Sequence, residues 1–201
     1  DKHYLLRGKD GNKDQTYFLS QLTSKQIANA LFPIGEMEKK DVRALAAKYE
    51  LEVATKKDST GVCFIGERNF KEFLMNYIPA NPGDIVNTKG EVVGHHDGVM
   101  YYTIGQRHGL GIGGPGEAWF VCGKDLERNE LIVGQGHDSI YLESNWCTAT
   151  DANWISYKPV AGNHYTAKFR YRQKDIDVTI EYKENDEIIV RYPGLCRAVT
   201  P

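Results

Sequence analysis

Pro79-Ala80-Asn81-Pro82-Gly83 is the stretch on which the fold turns. Two prolines and a glycine within five residues stop a helix and cannot sit in a central strand. Upstream, apolar residues recur at three- and four-residue spacing. Thr23-Ser24-Lys25-Gln26 has the form of a capping box leading into Ile27, Ala30 and Leu31, and Pro33 and Gly35 close that helix. A second helix is predicted over Lys39–Glu50, with Val42, Leu45, Ala46 and Tyr49 on one face. A third starts at Asn69 as cap and gathers Phe70, Phe73, Leu74 and Tyr77. All three stripes read as core-facing, and a short strand at Tyr4–Leu6 precedes them.

Downstream of Gly83 the chain is strand-rich, with β-branched runs between tight turns. Asp84–Thr88 and Glu91–His95 flank Lys89-Gly90 as a hairpin, and Ala118–Lys124 and Glu130–Gly134 flank Glu127-Arg128-Asn129. Three further strands are predicted at His164–Gln173, Ile176–Tyr182 and Glu187–Tyr192, the last two separated by Glu184-Asn185-Asp186. The fold class is therefore α+β, in three parts. Residues 1–78 form a helical segment, residues 79–135 a small β-rich central domain and residues 136–201 a C-terminal β-barrel.

Composition narrows the function classes. At 201 residues, 41% hydrophobic and 26% charged, the chain reads as soluble and globular. Its net charge of −2 gives no global attraction to nucleic acid, so an RNA site must be a local patch. No run approaches the roughly 20 apolar residues that span a bilayer, and no signal peptide is visible. Cys63, Cys122, Cys147 and Cys196 make neither a CxxC pair nor a disulfide framework, which suits reduced thiols in the cytoplasm. The ends, Asp1 and Arg197–Pro201, suit a fragment at least as well as a whole domain.

Four stretches carry chemistry. Asp58-Ser-Thr-Gly-Val-Cys63-Phe-Ile-Gly-Glu-Arg68 sets a thiol among Lys56, Lys57 and Arg68, with Gly61 and Gly66 permitting a tight loop. A thiol is nucleophilic only as thiolate, which positive surroundings favour; the alternative is an inert cysteine beside Val62 and Phe64. Cys122 and Cys147 lie in predicted strands as packing residues.

Gly105–Gly114 contains a formal GxGxxG at Gly109, Gly111 and Gly114. A dinucleotide loop runs from a strand into a helix, whereas here Pro115-Gly116 and a strand follow. The stretch reads as an irregular loop presenting Gln106, Arg107 and His108. On a predicted strand, Lys168, Arg170, Arg172 and Lys174 line one face about 6.6 Å apart, with Phe169 and Tyr171 on the other. That row suits a sugar-phosphate backbone or a solvated edge equally. Asn12-Lys13-Asp14-Gln15 offers groups for a phosphate and a base edge, or forms an ordinary turn before Thr16–Leu19. His95-His96-Asp97 lacks a third metal ligand and reads as a surface turn.

Taken in order, these stretches resemble one family. Asn12–Leu19, Lys57–Arg68, Met100–Arg107 with Gly109–Gly114, Trp119-Phe-Val with Gly123–Leu126, and Phe169–Gln173 are similar to the bacterial tRNA-specific 2-thiouridylases over nearly the whole chain. The resemblance implies an ATP-dependent tRNA-uridine 2-sulfurtransferase acting on the wobble uridine, position 34. It implies Cys63 as the persulfide-carrying cysteine, and Lys13, Asp14 and Gln15, with Arg170 and Tyr171, as tRNA contacts. ATP and Mg²⁺ would activate the uridine in an N-terminal domain whose Ser-Gly-Gly-Val-Asp-Ser loop and first catalytic cysteine do not occur here. On this reading the chain is truncated at both ends and inactive alone. The partners implied are a tRNA anticodon stem-loop and a sulfur-relay protein or cysteine desulfurase, with no membrane, and a disulfide between the two cysteines forms during turnover. Two other readings compete: a non-catalytic RNA-binding β-barrel module, and a related ATP-pyrophosphatase acting on a small molecule.

Overall fold

Thr23 opens the first helix as its sequence dictates. In the computed structural model, which describes residues 3–58, 70–136 and 140–200, the Thr23 hydroxyl accepts from the Gln26 amide while the Gln26 side chain accepts from Thr23 N–H at 2.8 Å. Helix α1 (Ser24–Ala28) stops after five residues and buries Ile27. Helices α2 (Lys39–Lys48) and α3 (Phe70–Met75) follow. Asn69, the predicted cap of α3, lies outside the described residues. Tyr4–Leu6 is not a strand.

Among the described residues the strands are β1 (Gly83–Asn87), β2 (Val92–His96), β3 (Trp119–Asp125), β4 (Glu130–Gln135), β5 (Glu143–Ala149), β6 (His164–Ala167), β7 (Ile176–Tyr182) and β8 (Ile188–Arg197). They form two four-stranded sheets, ordered β2-β1-β4-β3 and β5-β8-β7-β6. Few helices with these two sheets make the chain α+β, as its sequence predicts.

The chain divides into two compact units, each built from separate stretches. One comprises Asp1–Ser59 and Thr148–Arg191; the other comprises Thr60–Cys147 and Tyr192–Pro201.

The second unit carries the better-filled core. Ile85, Val121, Leu131 and Val133 are fully buried, joined by Val99, Tyr102 and Leu110. Strand β1 pairs antiparallel with β2 and parallel with β4, so both its hydrogen-bonding edges are paired. A Cβ at Gly83 would stand 2.2 Å from the carbonyl oxygen of Asn129 and 2.9 Å from Nε2 of His96. His96 is buried, its Nε2 3.0 Å from that same carbonyl, not exposed in a surface turn as its sequence suggests. The Gly105–Gly114 loop enters no helix. Gly105 N–H donates to Val121 O at 2.7 Å and Val121 N–H to Gln106 O at 3.0 Å, so the loop lies along β3.

The first unit departs further from its sequence reading. Along α2, Val42 and Ala46 are half-buried but Leu45 and Tyr49 are exposed, so the stripe is not a core face. Periodicity marks which face is apolar and says nothing of what covers it. The predicted strand His164–Gln173 ends at Ala167. The Gln173 side chain folds back to accept from Phe169 N–H at 2.7 Å and Arg170 N–H at 3.1 Å, and Arg172 takes a left-handed φ of +65°. A local side-chain acceptor thereby replaces the ladder, and the four cations do not form a strand-borne row.

Strand β8 runs past its predicted end through Pro193. That proline lies beyond Arg191, the residue opposite Thr179 of β7, so its missing N–H takes nothing from that pairing. Strand β5 contains Cys147, as the sequence reading expects, but its bounds escape that reading because its side chains alternate weakly between half-buried and exposed.

Candidate functional site

The turn after Asp10 prepares the first half of the site. Asp10 accepts from Asn12 N–H and, across the segment, from Lys39 N–H, both at 3.0 Å. Asp14 then accepts from Thr16 N–H at 2.8 Å and from the Thr16 hydroxyl at 3.0 Å. Partial burial opposes its charge, but these bonds and the Gly8 amide outweigh that, and the carboxyl is held below its usual range. Asp14 thus organises the short 3-10 turn Thr16–Leu19 that presents Tyr17 and Phe18. Gln15 is exposed at the start of that turn, and its side chain makes no capping bond.

The second half comes from the turn after β6. Tyr171 is half-buried between Phe18 at 4.6 Å and Tyr17 at 6.0 Å, centroid to centroid, with the Arg172 guanidinium 5.5 Å from its ring centre. The Tyr17 hydroxyl donates to Phe169 O at 3.1 Å, fastening the two halves. Arg7 and Asp175 add a two-pronged ion pair at 2.6 and 2.8 Å. That bond pair raises the guanidinium's pKa and lowers the carboxyl's.

Between the halves lies an open groove of about 600 Å³ lined by Arg7, Asp14, Tyr17, Lys168, Tyr171 and Arg172 among others. A second, more apolar hollow of about 780 Å³ adjoins the same turn and takes in Lys13, Gln15, Phe18, Leu31 and Phe32. Cations interleaved with aromatic rings are what an unpaired nucleic-acid strand requires: charge for the phosphates and π-faces for the bases.

Lys13 is committed elsewhere. Its ammonium donates to Asp58 at 2.5 Å; Arg43 donates to the other Asp58 oxygen at 2.8 Å, with Lys39 at 3.9 Å. Arg43 also donates to the carbonyls of Ala54 and Lys56. Hydrogen bonds from Lys13 and then Arg43 lower the Asp58 carboxyl to about 2.

Of the residues singled out in the sequence, Lys13, Asp14, Gln15, Arg170 and Tyr171 all fall in the first unit. Asp14 and Tyr171 share the groove, while Lys13 and Gln15 line the neighbouring hollow. The Arg170 amide takes part in the Gln173 turn. Cys63 lies outside the described residues. Sequence reasoning missed Arg7, Tyr17, Phe18, Arg43 and Asp58; the adjacent aromatics Tyr17-Phe18 directly after Lys13-Asp14-Gln15 were the available signal.

The remaining cysteines do not look reactive. Burial raises the Cys147 and Cys196 thiols, favouring the neutral form, and Cys122 Sγ points to Phe120 O at 3.4 Å. Among the described residues no group of three His, Cys, Asp or Glu side chains could hold a metal ion, and no helix is long and apolar enough to cross a membrane.

Comparison with known proteins places this architecture. Residues 1–67 match the model of a tRNA methyl transferase HUP domain, residues 71–135 that of a tRNA methyl transferase PRC-barrel domain, and residues 144–201 that of an aminomethyltransferase beta-barrel domain. The class is thus one of multidomain proteins that carry a HUP domain ahead of two β-domains. The chain is 56% identical over 199 residues to the tRNA-specific 2-thiouridylase MnmA of Bacillus subtilis, covering 98% of this chain and 54% of the relative. It is also 56% identical over 203 residues to that of Listeria innocua, covering 100% and 54%, and 56% identical over 201 residues to MnmA 2 of Geobacillus kaustophilus, covering 100% and 54%. The chain belongs to the tRNA-specific 2-thiouridylase family. It spans about half the length of the curated relatives it matches.

Proposed function

We propose that this chain is the tRNA-holding and sulfur-carrying part of an enzyme that replaces O2 of the wobble uridine of tRNA with sulfur. The observation that carries the reading is the groove. Asn12–Gln15 and Phe169–Gln173, far apart in sequence, converge in one unit on a basic, aromatic-lined cleft. The relatives' names supply the substrate class, and the cleft has the chemistry to hold it.

In this reading Arg7, Lys168 and Arg172 face the phosphates of the anticodon loop. Tyr171, held by Tyr17 and Phe18, sets the position of an unstacked base, since chemistry on a base requires it to leave its stack. Asp14 keeps the Thr16–Leu19 turn rigid, Gln15 offers an amide to a base edge, and Arg170 adds charge beside the groove. Lys13 serves as a phosphate ligand. The three domains are residues 1–78, 79–135 and 136–201, with the last acting as a barrel that supports the RNA.

Cys63 carries the sulfur as a persulfide loaded by a relay protein or cysteine desulfurase. A second cysteine thiolate attacks the inner sulfur, forming a disulfide and releasing hydrosulfide, which adds at C2 of the activated uridine. The activated oxygen leaves, and a dithiol reductant reopens the disulfide. Activation by ATP and Mg²⁺ is part of the family resemblance. The residues described here do not fit that group, since they offer neither a carboxylate cluster nor a glycine loop leading into a helix. Those steps are assigned to no residue of this chain. The enzyme works in the cytoplasm on this reading.

The test is the 2-thiouridine content of tRNA from cells whose only copy of the full-length protein carries Cys63→Ser. Loss of the modification at normal protein level with retained tRNA binding supports the sulfur-carrier role. Unchanged 2-thiouridine removes it and leaves an RNA-binding module.

A further inference from the structure

Asp58 occupies the centre of a three-cation site. The Lys13 ammonium and the Arg43 guanidinium bind its two oxygens at 2.5 and 2.8 Å, and Lys39 stands 3.9 Å away. The four side chains are 36–43% exposed, so the cluster faces solvent and an external anion can reach it. The positive charge is not a by-product of helix solvation. Lys39 begins α2 and Arg43 lies one turn on, the i, i+4 spacing that stacks two side chains on one helix face. Lys13 arrives on a separate segment, from a turn that Asp10 fixes by bonding to Lys39 N–H.

We infer that Lys13, Lys39 and Arg43 form a phosphate site, and that Asp58 is an internal carboxylate which a backbone phosphate of the bound RNA displaces from Lys13. This rests on the proposed RNA-binding function and gives it a regulated ligand. The chemistry permits exchange. A backbone phosphodiester presents two non-bridging oxygens sharing one negative charge, as a carboxylate does, and both groups bind guanidinium in a fork. Arg43 is the fixed member, since its guanidinium also closes on the carbonyls of Ala54 and Lys56 whichever anion is present. Lys13 is the exchangeable one: among the described residues its ammonium donates to Asp58 alone, and a lysine is a point donor on a flexible stem. In the first unit the same turn that carries Lys13 carries Asp14 and the aromatic pair Tyr17-Phe18, so one strand of RNA lying in the groove brings its phosphates towards Lys13. RNA occupancy is thereby linked to the backbone at Asp58, five residues before Cys63 in sequence.

The test is binding of a synthetic tRNA anticodon stem-loop to the full-length protein as wild type, Asp58→Asn and Asp58→Asn/Lys13→Gln, over a range of salt. Removing the internal competitor frees Lys13, so Asp58→Asn binds tighter, by roughly threefold or more, and its log K against log [salt] slope steepens by about one phosphate contact, 0.7–0.9. Adding Lys13→Gln abolishes both gains. Unchanged or weaker binding by Asp58→Asn overturns the inference while leaving the proposed function standing, because wild type still binds. If wild type and variants alike fail to bind the stem-loop, the proposed function falls and this inference with it. A measurement on the wild-type protein covers the case in which the variant misfolds. The Asp58 carboxyl ¹³C resonance shifts on titration with the stem-loop if phosphate displaces it, and an unmoved resonance at saturation overturns the inference.

Discussion

The rings of Phe18 and Tyr171 stand 4.6 Å apart at 48°, a contact between the two chain segments that build the first unit. Phe18 remains 60% exposed, so the contact joins the halves of the groove while leaving an aromatic face open to solvent. On the proposed function, recognition and local stability depend on the same pair.

Replacing Phe18 by leucine keeps apolar bulk against Tyr171 but removes the stacking face. Base–aromatic stacking is worth about 1–3 kcal/mol per base, so stem-loop affinity falls by roughly fivefold to a hundredfold while the thermal midpoint moves little. Fluorescence anisotropy against a melting curve separates the two effects. Equal binding by the leucine variant removes Phe18 from the interface.

Acid should loosen the first unit before the second. Asp58 is lowered from 3.8 to about 2, and Asp10, Asp14 and Asp175 are lowered too, all in that unit. A carboxylate whose folded pKa is depressed contributes stability above its unfolded pKa and loses it as pH falls through the folded one. For Asp58 the loss spans 3.8 down to about 2, and Asp58→Asn should flatten the curve in that window. Hydrogen exchange of amides in the two units, followed through acid titration, checks the order.

Gly83 tolerates no side chain. Overpacking of this kind costs about 1–3 kcal/mol, so Gly83→Ala should lower the unfolding free energy measured by urea titration by that amount and disturb the His96 ring, whose Nε2 shares the site. Side-chain NMR of His96 reports the displacement, and an unperturbed ring at wild-type stability contradicts it.

Leu131 is fully buried at the centre of the β2-β1-β4-β3 sheet. Leu131→Ala should cost about 2–5 kcal/mol, whereas Leu45→Ala on the exposed stripe of α2 should cost far less. Denaturant titration of both variants tests the ranking.

Breaking the Arg7–Asp175 pair should cost under about 1 kcal/mol, since both side chains are solvent-exposed. Its effect on RNA binding should be larger. Arg7→Gln removes a cation from the groove, whereas Asp175→Asn releases one, so the two variants should move affinity in opposite directions.

The β-hairpins were legible in residues such as Lys89-Gly90 and Glu127-Arg128-Asn129, because turn chemistry is local. The Thr23–Gln26 capping box was legible for the same reason. The turn at Phe169–Gln173 was not. There a single glutamine side chain overrides an alternating pattern that otherwise reads as strand, and no propensity records that bond. The candidate site was legible in the Lys13–Gln15 and Arg170–Tyr171 segments through family resemblance. Arg43 and Asp58 were invisible because their roles arise only when α2 and the segment before Cys63 fold against Lys13.

The discontinuous first unit also has a consequence for biosynthesis. At roughly 5–20 residues per second, the ribosome needs on the order of 4–18 s to travel from the end of its first stretch, at Ser59, to the start of its second, at Thr148. Throughout that interval Tyr17 and Phe18 lack Tyr171, the ring they will pack on. The second unit waits in turn for Tyr192–Pro201. Neither can close until its own second stretch has been made, so the nascent chain needs chaperone protection across both gaps, and translational pauses before residue 191 prolong that need.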